Sequence, residues 1–403
     1  MASLRLCLGS FLVLFIVINT TISSAGVKYL PPVAPQRVHY GSLGAMAVKS
    51  LFNEFTREYG KRYETRKEKE ERLRIFSENL KRYDAMNKEE QGTAVYGIDA
   101  FSDMTVEEFS NKMLTLNIHS YKKRLGEKYD DPSLKQVKAP RNFDWREKGA
   151  VTPIKDQGGC GSCWAFSTVC NIEGLYFNKY KKLVNLSEQQ LVDCDKNSDG
   201  CGGGWMASAV EYLAEAGGLQ DEDSYPYMEN DQECRFDKTK VVAKVKKNIM
   251  LPTNEKKMMA YLFKNGPISI AVDARTMNGY KGGIAHPTEE WCFKNSSKAN
   301  HGIALVGYGV NVTQLDGKKK RVPYWIAKNS WGTDMCDKVI IKSNFTALMC
   351  HDSKVPCGAM ETVTASNFEN FRVFSAFFLF AISVSIPESY NVSFFDYFRF
   401  HNR

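Results

Sequence analysis

Two segments early in the chain repeat apolar residues every three or four positions. The repeated residues are Val48, Leu51, Phe52, Phe55 and Tyr59 in the first segment, and Leu73, Phe76, Leu80 and Tyr83 in the second. This spacing places the apolar side chains on one face of a helix. The pattern therefore predicts two amphipathic helices. Residues 120–138 are charged and show no period, which is typical of a linker that proteases can reach.

The pattern changes after Ala139. We predict a helix that begins at Cys163 and a second one in "LSEQQLVDC", with Ser187 as its N-cap and Gln190 at its third position. Strands are predicted over 267–274, 301–309 and 324–332. This part of the chain is helix-rich first and strand-rich later, which indicates an α+β fold with two halves.

The N-terminus has the layout of a secretory signal peptide. Arg5 precedes an apolar run from Leu6 to Ile18, and the small residues Ser23 and Ala25 follow. The run is shorter than the roughly 20 residues of a membrane span, so we expect cleavage after Ala25 or Gly26 and no membrane anchor. The mature chain is then expected in an oxidising compartment, where disulfides form.

Sequons of the form N-x-S/T also fit a secreted chain. The expected glycosylation sites are Asn185, Asn295, Asn311, Asn344 and Asn391.

The net charge of +8 is modest for 403 residues, and Lys and Arg are spread among Asp and Glu. No nucleic-acid-binding motif accompanies them, so we do not expect nucleic acid as a partner.

The stretch "DQGGCGSCWAF" places Cys160 and Cys163 in a C-x-x-C spacing, which serves three kinds of site. A zinc site needs four ligands, commonly from two such pairs, and no second pair exists, so no metal is expected. A redox dithiol lies at the end of a strand. The segment before Cys160, "EKGAVTPIKDQGG", does not favour a strand, although the redox alternative stays open. The third possibility is a catalytic cysteine beside a structural one.

Cys163 fits the catalytic possibility best. A helix N-terminus stabilises a thiolate through its dipole and its free N–H groups. His301, in "NHGIALVGYG", is the best placed base, and Asn329, in "KNSWG", can accept the second imidazole N–H. A nucleophile, a base and an orienting group together indicate acyl transfer.

These motifs resemble those of the papain-like cysteine proteases, whose signature is C-G-[SA]-C-[WY] with His and Asn far downstream. The resemblance extends to the segment "GIDAFSDMT" and to six residues whose spacing matches the helical propeptide motif of that family. These residues are Glu68, Arg72, Phe76, Asn79, Tyr83 and Asn87. "GTAVYGIDAFSDMT" and "GPISIAVDARTMNGYKGGIAHP" look most like the cathepsin F branch.

The resemblance implies a preproenzyme with a papain-like two-lobe fold. One lobe is then helical, the other is β-barrel-like, and a helical propeptide domain precedes both. The implied divisions are a signal peptide at 1–25, an inhibitory propeptide at 26–138, a peptidase domain at 139–366 and an atypical extension at 367–403. The implied product is a cysteine endopeptidase of lysosomes or the extracellular space that needs no cofactor.

By the same resemblance, Cys163 is the nucleophile, His301 the general acid and base, and Asn329 the residue that orients His301. Gln157 then supplies an oxyanion-hole N–H, and Trp331 covers the Asn–His hydrogen bond. The implied disulfides are Cys160–Cys201, Cys194–Cys234 and Cys292–Cys357.

The resemblance also implies a substrate cleft. Gly203 and Gly204 would pair with an extended peptide, and an apolar pocket would accept a bulky aliphatic or aromatic residue two positions before the cut. The implied pocket residues are Trp205, Met206, Ala271, Ala299 and Gly302, with Thr362 at the base. The implied partners are peptide substrates, the chain's own propeptide and cystatin-type inhibitors.

Activation by acid is expected from Asp99 and Asp103, whose pairing with basic neighbours downstream would weaken on protonation. One departure from the family lies at Met335, Cys336 and Val339, where Trp and glycines are usual. It leaves an alternative, a catalytically impaired scaffold that binds peptides.

Overall fold

The computed structural model describes residues 36–117, 127–129, 131–252, 254–288, 299–315, 318–333, 339–342 and 362–366. All of them belong to one compact unit. The predicted signal peptide, the extension beyond 366, Cys292, Cys357, Asn295, Asn344 and Asn391 lie outside the described residues. No helix in the described ranges is long and apolar enough to cross a membrane.

The helices of the described ranges include every helix that the sequence pattern predicted. They are α1 (Ala45–Glu58), α2 (Arg66–Glu89), α3 (Val106–Met113), α4 (Cys163–Tyr180), α5 (Glu188–Cys194), α6 (Met206–Ala216) and α7 (Glu255–Asn265). The Ser187 side chain caps α5 by accepting from the Gln190 N–H at 3.1 Å, as predicted.

The strands are short before residue 240 and longer after it. They are β1 (Val95–Tyr96), β2 (Glu127–Lys128), β3 (Phe143–Asp144), β4 (Leu219–Gln220), β5 (Val241–Ala243), β6 (Lys247–Leu251), β7 (Ile268–Val272), β8 (Tyr280–Gly282), β9 (His301–Leu315), β10 (Lys318–Lys328), β11 (Val339–Lys342) and β12 (Thr362–Ser366). The fold is therefore α+β, as predicted.

The main sheet has eight strands in the order β11-β10-β9-β7-β12-β6-β2, and β3 pairs with β9 off this path. The described strands follow an open path. The half that we expected to be barrel-like is therefore an open sheet within the described ranges.

The predicted propeptide contributes an aromatic layer to a core that continues into the following region. Phe52, Phe55 and Phe76 are buried between α1 and α2, with the Phe76 ring centroid 5.4 Å from that of Phe52 and 5.1 Å from that of Phe55. Large rings bury much apolar area and prefer such tilted contacts. The two amphipathic faces seen in the sequence are thus packed against each other.

The predicted propeptide also pairs with strands of the following region. β1 pairs antiparallel with β8, and β2 adds to the main sheet in parallel beside β6. In addition, the Tyr83 and Arg82 side chains donate to the Asn278 Oδ1 at 2.9 and 2.6 Å. The helical segment is therefore attached by backbone pairing as well as by side chains.

Helix α4 is the centre of the second core. It packs against α5, α6 and β9, and its residues from Cys163 to Gly174 are buried. Disulfides Cys160–Cys201 and Cys194–Cys234 are both present beside it. The first fixes the loop before α4 to the glycine-rich loop before α6, and the second fixes the end of α5 to the loop around residue 234.

One prediction about β9 and β10 was wrong. We placed strand ends at residues 309 and 324, with a loop between them. Instead, β9 runs to Leu315 and β10 starts at Lys318, and the two pair in antiparallel register from Lys318↔Leu315 to Lys328↔Ala304. Backbone hydrogen bonds satisfied along this ladder account for the longer strands.

Candidate active site

The first residue of α4 is Cys163, and its side chain is fully buried. The Gly302 N–H points at the Cys163 Sγ from 3.4 Å. A helix N-terminus and a backbone N–H both stabilise negative charge on sulfur. The position therefore suits a thiolate.

His301 lies at the first position of β9, next to Gly302. Its Nε2 donates to the Asn329 Oδ1 at 2.7 Å, and Asn329 directly follows β10. The Ser330 N–H also donates to this oxygen, at 2.9 Å, which fixes the orientation of the amide. The Trp331 ring lies 4.7 Å from the imidazole, centroid to centroid, and screens the pair from water.

Gln157 is fully buried, and both ends of its side-chain amide are held. Its Nε2 donates to the Cys160 carbonyl at 3.0 Å, and its Oε1 accepts from the Ser330 hydroxyl at 2.7 Å. Its backbone N–H donates to the Ser330 carbonyl at 2.9 Å. The structure thus places close together the four residues that were predicted from the sequence, Gln157, Cys163, His301 and Asn329.

Residues 115–117 of the predicted propeptide cross this site. The Thr115 hydroxyl donates to the Gly161 carbonyl at 2.8 Å. The Leu116 N–H donates to the Asn300 carbonyl at 3.0 Å, and the Asn117 N–H to the Gly204 carbonyl at 3.1 Å. A peptide backbone therefore already lies along both walls of the cleft.

Gly203 shows why a glycine is needed at that wall. Its φ is +121°, and a Cβ added there would lie 2.0 Å from the Thr115 carbonyl oxygen. Any side chain would collide with the chain in the cleft and would strain the backbone.

Leu116 lies in the same buried apolar cluster as residues of the predicted specificity pocket. This side chain is 7% exposed and belongs to one apolar cluster with Trp205, Met206 and Ala271, on which Ala299 packs. Gly302 borders the pocket, because a Cβ there would lie 3.2 Å from the Met206 Sδ. Thr362 is in β12, but its side chain is outside the described ranges.

Burial shifts the pKa values of both Cys163 and His301. Loss of solvent raises the pKa of the Cys163 thiol to about 11, although hydrogen bonds from the backbone N–H groups of Gly302 and Trp164 oppose the shift. Loss of solvent also lowers the pKa of His301 to about 4, against the hydrogen bond to Asn329. At neutral pH the pair is therefore thiol and neutral imidazole.

Two aromatic residues of the predicted propeptide pack edge-on against Trp331. The ring centroids of Phe101 and Phe109 lie 5.7 and 5.5 Å from that of Trp331. The residue that screens His301 is thus itself covered by the propeptide.

The expected partners of Asp99 and Asp103 need correction. Asp103 pairs with Lys61, upstream and inside the predicted propeptide, at 3.2 Å. Asp99 is buried and accepts hydrogen bonds from the N–H groups of Phe101 and Gly279 and from the Ser102 hydroxyl. Burial raises the pKa of Asp99. Asp99 therefore holds the interface as an acceptor of backbone N–H groups rather than as half of a salt bridge.

The sequence reasoning missed Thr115, Leu116 and Tyr227. The Tyr227 hydroxyl contacts the Gln157 carbonyl and the Ser162 hydroxyl in the loop before α4 from a distant part of the chain, and no local pattern marks it. Among the described residues, no group of His, Cys, Asp and Glu is arranged to hold a metal ion.

Of the expected glycosylation sites, Asn185 and Asn311 lie in the described ranges, exposed and partly exposed respectively.

Comparison with known proteins gives two family matches. Residues 139–361 match the model described as papain family cysteine protease, and residues 52–109 match the cathepsin propeptide inhibitor domain. Cathepsin F of Drosophila melanogaster is 42% identical over 286 residues, which are 71% of this chain and 46% of that protein. The chain thus matches less than half of the fly protein's length.

Two further similarities cover more of the compared proteins. Cysteine proteinase 15A of Pisum sativum is 43% identical over 293 residues, which are 70% of this chain and 78% of that protein. The solved structure of digestive procathepsin L2 proteinase from Tenebrio molitor larval midgut has a TM-score of 0.68 at 31% identity. It covers 79% of this chain and 100% of that chain.

Proposed function

Because the chain belongs to the papain family of cysteine proteases and carries a cathepsin propeptide inhibitor domain, we propose that it is the precursor of a cysteine endopeptidase. The main support for this proposal is the segment 115–117, which lies across the cleft. Thr115 and Leu116 occupy the place of a substrate, beside Cys163 and in the apolar pocket, while burial keeps Cys163 and His301 neutral. Removal of residues 26–138 would admit water and substrate together.

In the proposed reaction, the Cys163 proton moves to His301 and the thiolate attacks the peptide carbonyl carbon. The Gln157 Nε2–H and the Cys163 backbone N–H would bind the tetrahedral oxygen. His301 then gives its proton to the leaving amine, and a thioester remains. Water, with His301 as base, hydrolyses the thioester and releases the acid and the free thiol. Asn329 would hold the imidazole in the tautomer that these transfers need.

The pocket that Leu116 fills supports a preference for bulky apolar residues two positions before the cut. Its walls are Trp205, Met206 and Ala271, whose surfaces gain most from contact with an aliphatic or aromatic side chain. The preferred substrates are then proteins with an exposed leucine or phenylalanine in an extended segment.

We propose that acid favours release of the propeptide through His301. In the closed form its pKa is lowered to about 4, whereas a solvated histidine titrates near about 6.5. The closed form is therefore favoured fully above pH 6.5, and this advantage is lost as the pH falls towards 4. Burial raises the pKa of Asp99 and Glu90, whose contributions have the opposite sign and are lost as pH rises.

The remaining assignments follow from this function. The signal peptide at 1–25 would direct the chain to the secretory pathway, and the enzyme would act in lysosomes or outside the cell. Cleavage is proposed near Val137–Arg141, before the peptidase domain that ends at 366. The open cleft would also accept cystatin-type inhibitors.

The test is titration of acid-activated protein with an epoxide affinity label, together with turnover of a leucine-containing peptide. We expect one label per chain on Cys163, and Cys163→Ser should retain its fold but lose label and turnover. N-terminal sequencing after acid treatment locates the cleavage. A chain that binds peptides without cleaving them would instead support the impaired scaffold.

One observation bears on that alternative. Met335 and Cys336 lie outside the described ranges, but Val339 begins β11, which pairs with β10 through Ala327↔Val339. The strand β10, which ends at Lys328 just before Asn329, thus keeps its neighbouring strand although Val339 replaces a usual glycine. The double variant Met335→Trp, Cys336→Gly measures what the alteration costs, and a gain of several orders of magnitude in turnover would favour the scaffold.

A further inference from the structure

We propose that Tyr227 is a positioning residue that holds the oxyanion side of the active site through Gln157. The inference rests on the proposed function. It concerns the loop Gln157–Ser162, which leads into α4, and the facing loop 225–231.

One phenol oxygen joins the two ends of the loop before α4. The Tyr227 hydroxyl donates to the Gln157 carbonyl at 2.9 Å and lies 2.7 Å from the Ser162 hydroxyl, which can donate to it in turn. The Tyr227 ring is fixed edge-on against Phe166 of α4, with centroids 5.0 Å apart. The phenol therefore connects the residue that carries the amide donor with the residue that precedes the nucleophile.

The facing loop makes a second contact to the same segment. The Glu229 carboxylate accepts from the Gly159 N–H, and Glu229 has φ +59°, an uncommon value for a residue with a side chain. A Cβ on Gly158 would lie 2.1 Å from the Glu229 carboxyl carbon. The positive φ of Glu229 is a strained backbone conformation, which persists only where surrounding contacts enforce it and is common at functional sites.

The composition of the held loop explains the need for outside support. "QGGCGS" contains glycines at 158, 159 and 161, so its backbone has wide intrinsic freedom. The Cys160–Cys201 disulfide fixes its middle, while Tyr227 fixes its two ends. An oxyanion donor stabilises the transition state only within a few tenths of an ångström of its proper place. Loss of the phenol oxygen should therefore act on the tetrahedral step.

Tyr227→Phe is the test variant, because it removes both hydrogen bonds and keeps the ring on Phe166. In the acid-activated enzyme we expect kcat for peptide hydrolysis to fall about tenfold with KM unchanged, because only the hydrogen bond to the Gln157 carbonyl acts on the oxyanion donor and one neutral hydrogen bond is worth about 1 kcal/mol. Affinity for a peptide aldehyde, which forms a tetrahedral oxyanion, should fall in parallel. Alkylation of Cys163 by an epoxide needs no oxyanion hole, and its rate should stay the same.

Tyr212→Phe is the matched control. The Tyr212 hydroxyl accepts from the Gln190 Nε2 at 3.3 Å, away from the loop before α4. This variant should alter neither kcat nor aldehyde affinity. Equal effects of the two variants, or an equal fall in aldehyde affinity and epoxide rate for Tyr227→Phe, would overturn the inference as a general structural effect.

A double-mutant cycle with Gln157→Ala identifies the route of the effect. If Tyr227 acts through Gln157, then Tyr227→Phe should cost no further activity in the Gln157→Ala enzyme. An undiminished tenfold loss in that background would overturn the inference. Should Tyr227→Phe not fold, Ser162→Ala removes one of the two partners and should lower aldehyde affinity without changing the epoxide rate. An unchanged aldehyde affinity there would equally contradict us.

The two proposals fail differently. A wild-type chain that takes no epoxide label and cleaves no peptide overturns the proposed function and, with it, this inference. A wild-type enzyme with normal turnover whose Tyr227→Phe variant is unchanged overturns only the role of Tyr227.

Discussion

Truncation of Leu116 to alanine should loosen the inhibited precursor. In the structure this side chain is 7% exposed, and it belongs to the apolar cluster that contains Cys163 and the proposed pocket residues. The alanine variant leaves the backbone hydrogen bonds of residues 115–117 in place. It therefore isolates what the apolar contact contributes to closure.

The size of the effect follows from the burial. Leucine-to-alanine changes at buried sites cost about 2–5 kcal/mol. We expect the lower part of this range, about 2–3 kcal/mol, because the Leu116 side chain keeps 7% of its exposure and is not fully buried. Since each 1.4 kcal/mol is a factor of ten, the closed-to-open equilibrium should shift by about 30–150-fold towards the open form.

The assay follows labelling of Cys163 in the full-length precursor at neutral pH by a fluorescent epoxide in excess. Only the open form exposes the thiol, so the labelling rate reports the open fraction as long as opening is faster than labelling. Met46→Ala is the control, because Met46 is also in the propeptide but is 90% exposed. Leu116→Met, which conserves volume, should change the rate by less than about tenfold.

The reasoning would be refuted by a Leu116→Ala labelling rate within threefold of that of the wild type. The pocket would then contribute little to closure. A Met46→Ala rate that rises as much as that of Leu116→Ala would show instead that any propeptide substitution opens the cleft.

Three further predictions concern the enzyme and its precursor. Gln157→Ala should lower kcat by about 10²–10³-fold with an unchanged melting temperature, and an unchanged kcat would remove Gln157 from the oxyanion hole. Lowering the pH from 7 to 5 should speed precursor opening, measured by susceptibility of residues 118–138 to an added protease, because in this range His301 gains a proton only when the cleft opens. A flat pH profile would contradict this. Replacing Cys160 and Cys201 together by serine should cost about 2–4 kcal/mol in thermal unfolding, and an unchanged melting temperature would show that the bridge does not constrain the unfolded chain.

The amphipathic helices and the start of α4 could be read from the sequence because their signals are local. Periodic apolar residues mark α1 and α2, and a cap followed by an apolar run marks α5. Residue chemistry suggested Cys163, His301 and Asn329 as partners although they lie far apart along the chain, and only the resemblance added Gln157. Their meeting depends on sheet register, which no local pattern specifies.

The length of β9 and β10 was missed although the sequence carries a turn signal, "DG" at 316–317, between segments able to pair. Charged residues at 318–321 obscured the strand pattern, because exposed strand ends need no apolar face. Tyr227 and Leu116 were missed for another reason. Each acts through one contact made by a distant part of the fold, and single contacts of this kind leave no period or spacing in the sequence.

The long hairpin of β9 and β10 has a consequence for engineering. His301 is the first residue of β9, and Asn329 directly follows β10. The 2.7 Å hydrogen bond between their side chains therefore lies at the base of the two-stranded ladder. Residues added beyond Leu315 lengthen the far end and leave the base in register. The tip is therefore a site where a reporter or affinity tag could be inserted into the folded enzyme while the catalytic pair stays intact.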